Sequence, residues 1–251
     1  MEYYSLGNNI VAFTTDRTIG RDGDRLIAKF KEDGMTNSSH AFFYPHQTHT
    51  DKVIRIDEHF LALDAEAQRA TLEGVDAVIS NVRDVVLGIS TADCIPVLVY
   101  DPEHHAAAAI HAGWKGTVQH IVQKAVAAMQ TAYGTRPSEC LAAIGPGISM
   151  DSFEVGQEVV DAFDRASLLT DRDSVLRYYE PSALFSGNTE TAPHLDLKEI
   201  NRQQLTGSGL TVNNIYVSDI DTFTDERFFS ARREQKGNIK CGRILTGFLL
   251  Q

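Results

Sequence analysis

The stretch VVLGISTADCIPVLVYDPEHHAAAAIHAGWKGT, residues 85–117, decides how this chain folds. It holds three apolar runs, 85–90, 95–100 and 106–111, each short and bounded by Asp, Pro or Gly, which is the pattern of strands. The third run is alanine-rich and helical by propensity alone. The Asp101-Pro102 turn before it and Gly113 after it favour a strand. Outward from this block, further strand-like runs fall at 10–14, 52–56, 141–144, 215–218 and 244–250. Helical patterns fall at 65–73, 117–132, 155–166 and 197–206. In the second of these, Val118, Ile121, Val122, Ala125, Val126 and Met129 mark one apolar face. Thr117 is its expected N-cap, and Asp151-Ser152 the expected cap of the third helix. Residues 168–193 are polar and read as an irregular excursion or flap. Strands and helices in irregular order predict an α+β (mixed α/β) domain on a mixed sheet rather than a doubly wound nucleotide fold. Neither GxGxxG nor GxxxxGK[ST] is present.

The chain of 251 residues reads as a single domain, 1–251, with no repeat or low-complexity linker. Asp and Glu total 34 against 23 Lys and Arg, a formal net charge of −11. That balance argues against nucleic acid as the partner, because phosphate backbones need a basic footprint. No apolar run approaches the roughly 20 residues that span a bilayer, and the first residues show no secretory pattern. Cys94, Cys140 and Cys241 are an odd set without close pairing, which fits free thiols in a reducing cytoplasm.

Three residues carry the chemistry: His49, Cys94 and His111. Two imidazoles and a thiolate suit a borderline-soft metal such as zinc, and three protein ligands leave a coordination position open. Each has a plainer reading. Cys94 fits a buried structural thiol, since free cysteine is among the most buried residue types. His111 fits a strand-to-helix turn with local hydrogen bonds. His46 and His49 are three apart and would point to opposite faces of a strand, so one ligand is expected from the pair, taken as His49. His104 and His105 read as solvated turn residues, and His40, His59 and His120 as surface positions. His194 could line a pocket or cap a helix, and capping is the preferred reading. Gly113, Gly116 and Lys115 beside a helix start make an anion site.

Read together, the strings form one series. Gln47-Thr48-His49, Gly74-Val75-Asp76-Ala77, Ser90-Thr91-Ala92-Asp93-Cys94-Ile95-Pro96-Val97 and His111-Ala112-Gly113-Trp114-Lys115-Gly116 come first. Ile144-Gly145-Pro146-Gly147-Ile148, Phe153-Glu154-Val155-Gly156, His194-Leu195-Asp196-Leu197, Phe228-Phe229-Ser230, Arg232-Arg233 and Gly242-Arg243 follow. In this order they resemble the YfiH-type laccase-domain family, also called multicopper polyphenol oxidases, over nearly the whole chain. The resemblance implies a four-layer α/β/β/α domain and a zinc ion on His49, Cys94 and His111. It implies zinc-dependent purine nucleoside phosphorylase activity: adenosine, inosine, guanosine and methylthioadenosine react with phosphate to give base and ribose-1-phosphate. Adenosine deaminase activity, copper-dependent polyphenol oxidation and peptidoglycan-precursor editing attach to relatives.

On that reading Arg17, Lys115, Arg232, Arg233 and Arg243 are the candidates for holding phosphate. Trp114 or Phe228 would stack on a base, and Asp93 would orient a metal ligand from behind. Copper is the poorer fit, because multicopper centres use HxH pairs and none occurs among the nine histidines. A metal-free cysteine hydrolase, with Cys94 as nucleophile and His111 as base, uses the same side chains. Departures from the family pattern are Lys115 in place of a frequent Arg and Asp221-Thr222-Phe223-Thr224 without the usual cysteine. Cys241 stands where Thr is usual, and the N-terminal glycine-rich string is shortened to Thr14-Thr15-Asp16-Arg17.

Overall fold

The computed structural model describes residues 1–36, 38, 40–180, 191–237 and 242–251. The chain runs β1 (Glu2–Tyr4), β2 (Ile10–Thr14), α1 (Gly23–Glu32), β3 (Ala41–Phe43), β4 (Val53–Ile56), α2 (Glu58–Leu61), α3 (Ala65–Thr71) and β5 (Ala77–Ser80). It continues through β6 (Val85–Thr91), β7 (Ile95–Asp101), β8 (Ala106–Ala112), α4 (Trp114–Val118), α5 (Ile121–Tyr133) and β9 (Leu141–Ile144). It ends with α6 (Gln157–Arg165), α7 (Arg172–Val175), β10 (Leu176–Tyr179), β11 (Ala192–Leu195), α8 (Leu197–Gly207), β12 (Ile215–Val217), α9 (Ala231–Gly237) and β13 (Ile244–Leu250).

Two mixed sheets form the centre. One has the order β1-β2-β13-β6-β3, the other β12-β9-β7-β8-β5-β4. The period-two alternation of strand side chains sorts the core into layers. Leu87, Ile89 and Phe248 from the first sheet meet Val78, Leu98, Ala107 and Ala109 from the second. On the outer face of the first sheet, Val11, Phe13, Val86 and Leu249 pack on Leu26 and Phe30 of α1. On the outer face of the second, Val97, Ala106, Ala108 and Ile110 pack on α5, α6 and α8. The result is the α/β/β/α stack.

The alanine-rich run is strand β8, paired antiparallel with both β5 and β7. Its start is set by the Asp101 carboxylate, which accepts from the backbone amides of Glu103 and His104. Its small side chains leave room for Ile121, Val122, Ala125, Val126 and Met129 of α5.

Several expectations are corrected. The helix expected at 117–132 is two helices, broken where His120 takes a left-handed φ of 60°. Gly113, not Thr117, is the N-cap of α4. Thr117 is buried, and its hydroxyl meets the Asn201 side chain of α8. Asp151 and Ser152 lie in a 3-10 turn, and α6 starts after Gly156. His194 does not cap α8. Asp196 does, accepting from the Glu199 amide, while His194 is buried with Nδ1 against the Met150 carbonyl. His104 pairs with Asp101 at 2.8 Å, and the His105 Nδ1 lies 3.0 Å from the Tyr100 hydroxyl, so both are tied into the turn. His59 is exposed, while His40 and His120 are half-buried. Within the expected excursion, β10 and β11 form an antiparallel ladder. Its middle, 181–190, and Cys241 lie outside the described residues.

Candidate metal centre

The chain crosses between the two sheets twice near one point, and each crossing carries a donor. His49 lies on the segment from β3 to β4, and Cys94 on the turn from β6 to β7. His111 comes from the end of β8. One ligand atom from each lies within 4.8 Å of the others. Cys94 Sγ is 3.7 Å from His49 Nε2, and the two imidazole rings meet edge-to-face at 4.9 Å. On a tetrahedral zinc, sulfur and nitrogen donors lie about 3.6 Å apart, so the donor set fits this ion.

The geometry depends on Asp76, which is fully buried. Its carboxylate accepts from the backbone amides of Thr48, His49 and Thr50 and from the Thr50 hydroxyl. It also faces His111 Nδ1 at 2.6 Å. With Nδ1–H donated there, Nε2 of His111 is the atom left for the cluster. The same anion thus orients one imidazole and holds the loop of the other. That loop needs holding, because His49 sits at φ 62°, a costly value for a residue with a Cβ. Gln47 pins the loop from the other side. Its amide donates to the Ser90 carbonyl, and its oxygen accepts from the Ser90 amide. Gly113 is required by space: a Cβ there would stand 2.9 Å from the His49 ring and 3.0 Å from Cys94 Sγ.

Charge follows the geometry. Burial pushes the Cys94 thiol up, but the His111 charge and the hydrogen bonds of both histidines outweigh it and bring it down to about 6. Burial pushes His111 down, yet the Cys94 charge and the Asp76 hydrogen bond lift it to about 9. Burial also pushes Asp76 up, and the hydrogen bonds from His111 and Thr50 prevail, holding it at about 2. The metal-free pair is therefore thiolate and imidazolium near neutrality.

The cluster opens on a cleft of about 640 Å3, whose walls include Arg21, His46, Gln47, Ser90, Gln235 and Arg243. Of the phosphate candidates only Arg243 lines it. Arg17 lies over the Phe229 ring and donates to the Glu226 carbonyl. Arg233 donates to the carbonyls of Thr222, Phe223 and Phe228. Arg232 donates to the Glu154 carbonyl. Lys115 is exposed at the start of α4, its ammonium over Trp114, and neither lines the cleft. Phe228 is 1% exposed and packs inside the protein, so it offers no stacking face. Asp93 does not orient a metal ligand. It accepts from Thr222, Ser230 and the Arg232 amide, tying the start of α9 to the Cys94 turn.

Asp76, Gln47 and Arg21 are what the residue reading missed. Asp76 stood in a noted string, and an acidic residue leading directly into an apolar strand is the available signal. Arg21 has no motif around it.

Two mixed sheets between helices, with a His–Cys–His cluster where the chain passes from sheet to sheet, define a class of α/β/β/α proteins built around one three-donor cleft. The chain belongs to the multi-copper polyphenol oxidoreductase laccase family, whose model matches residues 25–251. It is 39% identical to a purine nucleoside phosphorylase of Bacteroides thetaiotaomicron, over 87% of this chain and 76% of that one. It is 40% identical to adenosine deaminase RL5 of an unknown prokaryotic organism, over 81% and 72%. Among solved structures, the Bacillus licheniformis hypothetical protein YfiH superposes with a TM-score of 0.77 at 25% identity, covering 96% of this chain and 93% of that one.

Proposed function

We propose that this protein is a zinc-dependent purine nucleoside phosphorylase acting on adenosine, inosine, guanosine and methylthioadenosine. The observation that carries the reading is the three-donor cluster at a cleft of about 640 Å3 walled by Arg21 and Arg243. His49, Cys94 and His111 hold the zinc, which supplies Lewis acidity to the cleft when bound. Copper is the poorer fit, because multicopper centres use HxH pairs and the sequence has none. Arg21 and Arg243 bind the phosphate, since a guanidinium matches its oxygens two at a time. A phosphate oxygen bonds to C1′ of the ribose, the C1′–N9 bond breaks, and base and ribose-1-phosphate leave. Asp76 keeps His111 and the His49 loop in place throughout. The cytoplasm suits this chemistry, because a thiol ligand stays reduced there.

Two other readings have an observation each. The similarity to RL5 supports adenosine deamination in the same cleft. The thiolate of Cys94 beside a charged His111 supports a metal-free cysteine hydrolase. One experiment separates them: elemental analysis of the purified protein, then adenosine turnover with and without phosphate. Phosphate-dependent ribose-1-phosphate, abolished by a chelator, restored by zinc and lost in folded Cys94→Ala and His111→Ala variants, is the expected result. Inosine formed without phosphate selects deamination. Chelator-resistant hydrolysis selects the cysteine enzyme.

A further inference from the structure

His46 lines the same cleft without being part of the donor cluster. Its backbone is fixed on both sides, the amide donating to the Leu72 carbonyl at 3.1 Å and the carbonyl accepting from Gly74 at 2.9 Å. Its Nδ1 faces the Glu73 carboxylate at 2.7 Å. Both side chains are largely exposed, at 72% and 63%, and a pair so exposed adds little to stability. Stability is therefore a poor reason for the arrangement. With Nδ1 engaged, Nε2 has no hydrogen-bond partner among the described residues.

Purine phosphorolysis needs a proton donor, because the departing base carries the electron pair of the broken C1′–N9 bond. The metal cluster occupies His49 and His111, and arginine does not release a proton. We propose that His46, oriented by Glu73, is the general acid that protonates the purine leaving group, a role that rests on the phosphorylase reading above. As a phosphate oxygen bonds to C1′, the C1′–N9 pair passes into the purine ring and the Nε2 proton of His46 imidazolium moves to N7. Neutral His46 regains its proton from water at its exposed position. Glu73 is a positioning residue, holding the ring by Nδ1. Outside the donor cluster and the arginines, Glu234 is the other titratable side chain among the described residues lining the cleft, and it is the rival candidate.

The test compares inosine with 7-methylguanosine, whose N7 is already methylated and cationic, so its base leaves without a proton. Wild type, His46→Ala, His46→Gln, Glu73→Gln and Glu234→Gln are assayed with phosphate, alongside zinc content and melting temperature. A general acid contributes about 10²–10⁴-fold, so inosine turnover should fall at least about 100-fold in both His46 variants. 7-Methylguanosine turnover should fall less than about threefold, with zinc content unchanged, and Glu73→Gln should show a smaller loss of the same selectivity. Equal losses on both substrates, no loss, zinc depletion, or selective loss in Glu234→Gln alone would each overturn the proposal. Wild-type turnover of inosine that ignores phosphate sinks the phosphorylase reading itself, and this role with it.

Discussion

At the scale of single residues, one buried carboxylate governs the site. Asp76 receives three consecutive loop amides, a hydroxyl and an imidazole N–H. Asparagine presents one oxygen and an NH2 group, so it cannot accept all five, and it turns a donor toward donors. Asp76→Asn should lower zinc affinity about 10–100-fold, the usual effect of losing a ligand's outer partner. Competition with a chromophoric chelator measures it, and unchanged affinity would remove Asp76 from this role. The charges of the pair also set a pH profile. Between about pH 6 and about pH 9 Cys94 is already a thiolate, whereas His111 still carries the proton that a metal must displace. Loading therefore releases one proton from the pair, and apparent affinity should rise about tenfold per pH unit across that window. A flat profile from pH 6.5 to 8.5 in the same competition assay would contradict this assignment.

At the scale of elements, the site lies where strands stop and crossings begin. The α4 start is the tightest of these points, because Gly113 is both its N-cap and the floor beneath His49 and Cys94. A methyl group there meets atoms at 2.9 and 3.0 Å on the two ligand side chains. Overpacking of this kind costs about 1–3 kcal/mol, and here the strain falls on the donors. Gly113→Ala should fold with modestly lowered stability in urea titration yet retain little zinc by elemental analysis. A variant with full zinc content would show that the loop gives way. Asp93 belongs to this scale as well. It stands next to a donor in sequence, but its left-handed φ of 81° places its carboxylate under α9. Adjacency in the chain suggested a partner for the metal ligands, and a change in chain direction at Asp93 sends it elsewhere.

At the scale of the whole molecule, two of the inter-sheet crossings, β3 to β4 and β6 to β7, meet at the cluster, so an ion bound there ties the two sheets together at one end. At free zinc about a thousandfold above its Kd, linkage adds about 4 kcal/mol to stability. For a chain of this length that corresponds to a Tm rise of about 8–16 °C. Scanning fluorimetry of zinc-loaded against chelator-treated protein checks it, and coincident melting curves would mean that the cluster holds no ion.

The legible part of the fold was the part with strong local pattern. The eight apolar runs are all strands, because buried strands are short, apolar and closed by turn residues. β3, with three residues, is too short to show a period, and α1 shows its helical face only on Leu26, Ile27 and Phe30 within a short charged segment. The break at His120 was hidden, since the apolar spacing runs across it. The chain's own residues determined the donor types, the coordination position that three ligands leave open and the strands that end beside them. Tertiary structure alone decided that three donors from distant positions share one centre, that Asp76 rather than Asp93 orients them, and that Arg21 and His46 face the cleft while Arg233 and Phe228 do not. The physical reason is that a strand's period tells which face a side chain takes, but which sheet ends meet depends on how two layers pack, and packing is a property of pairs far apart in the chain.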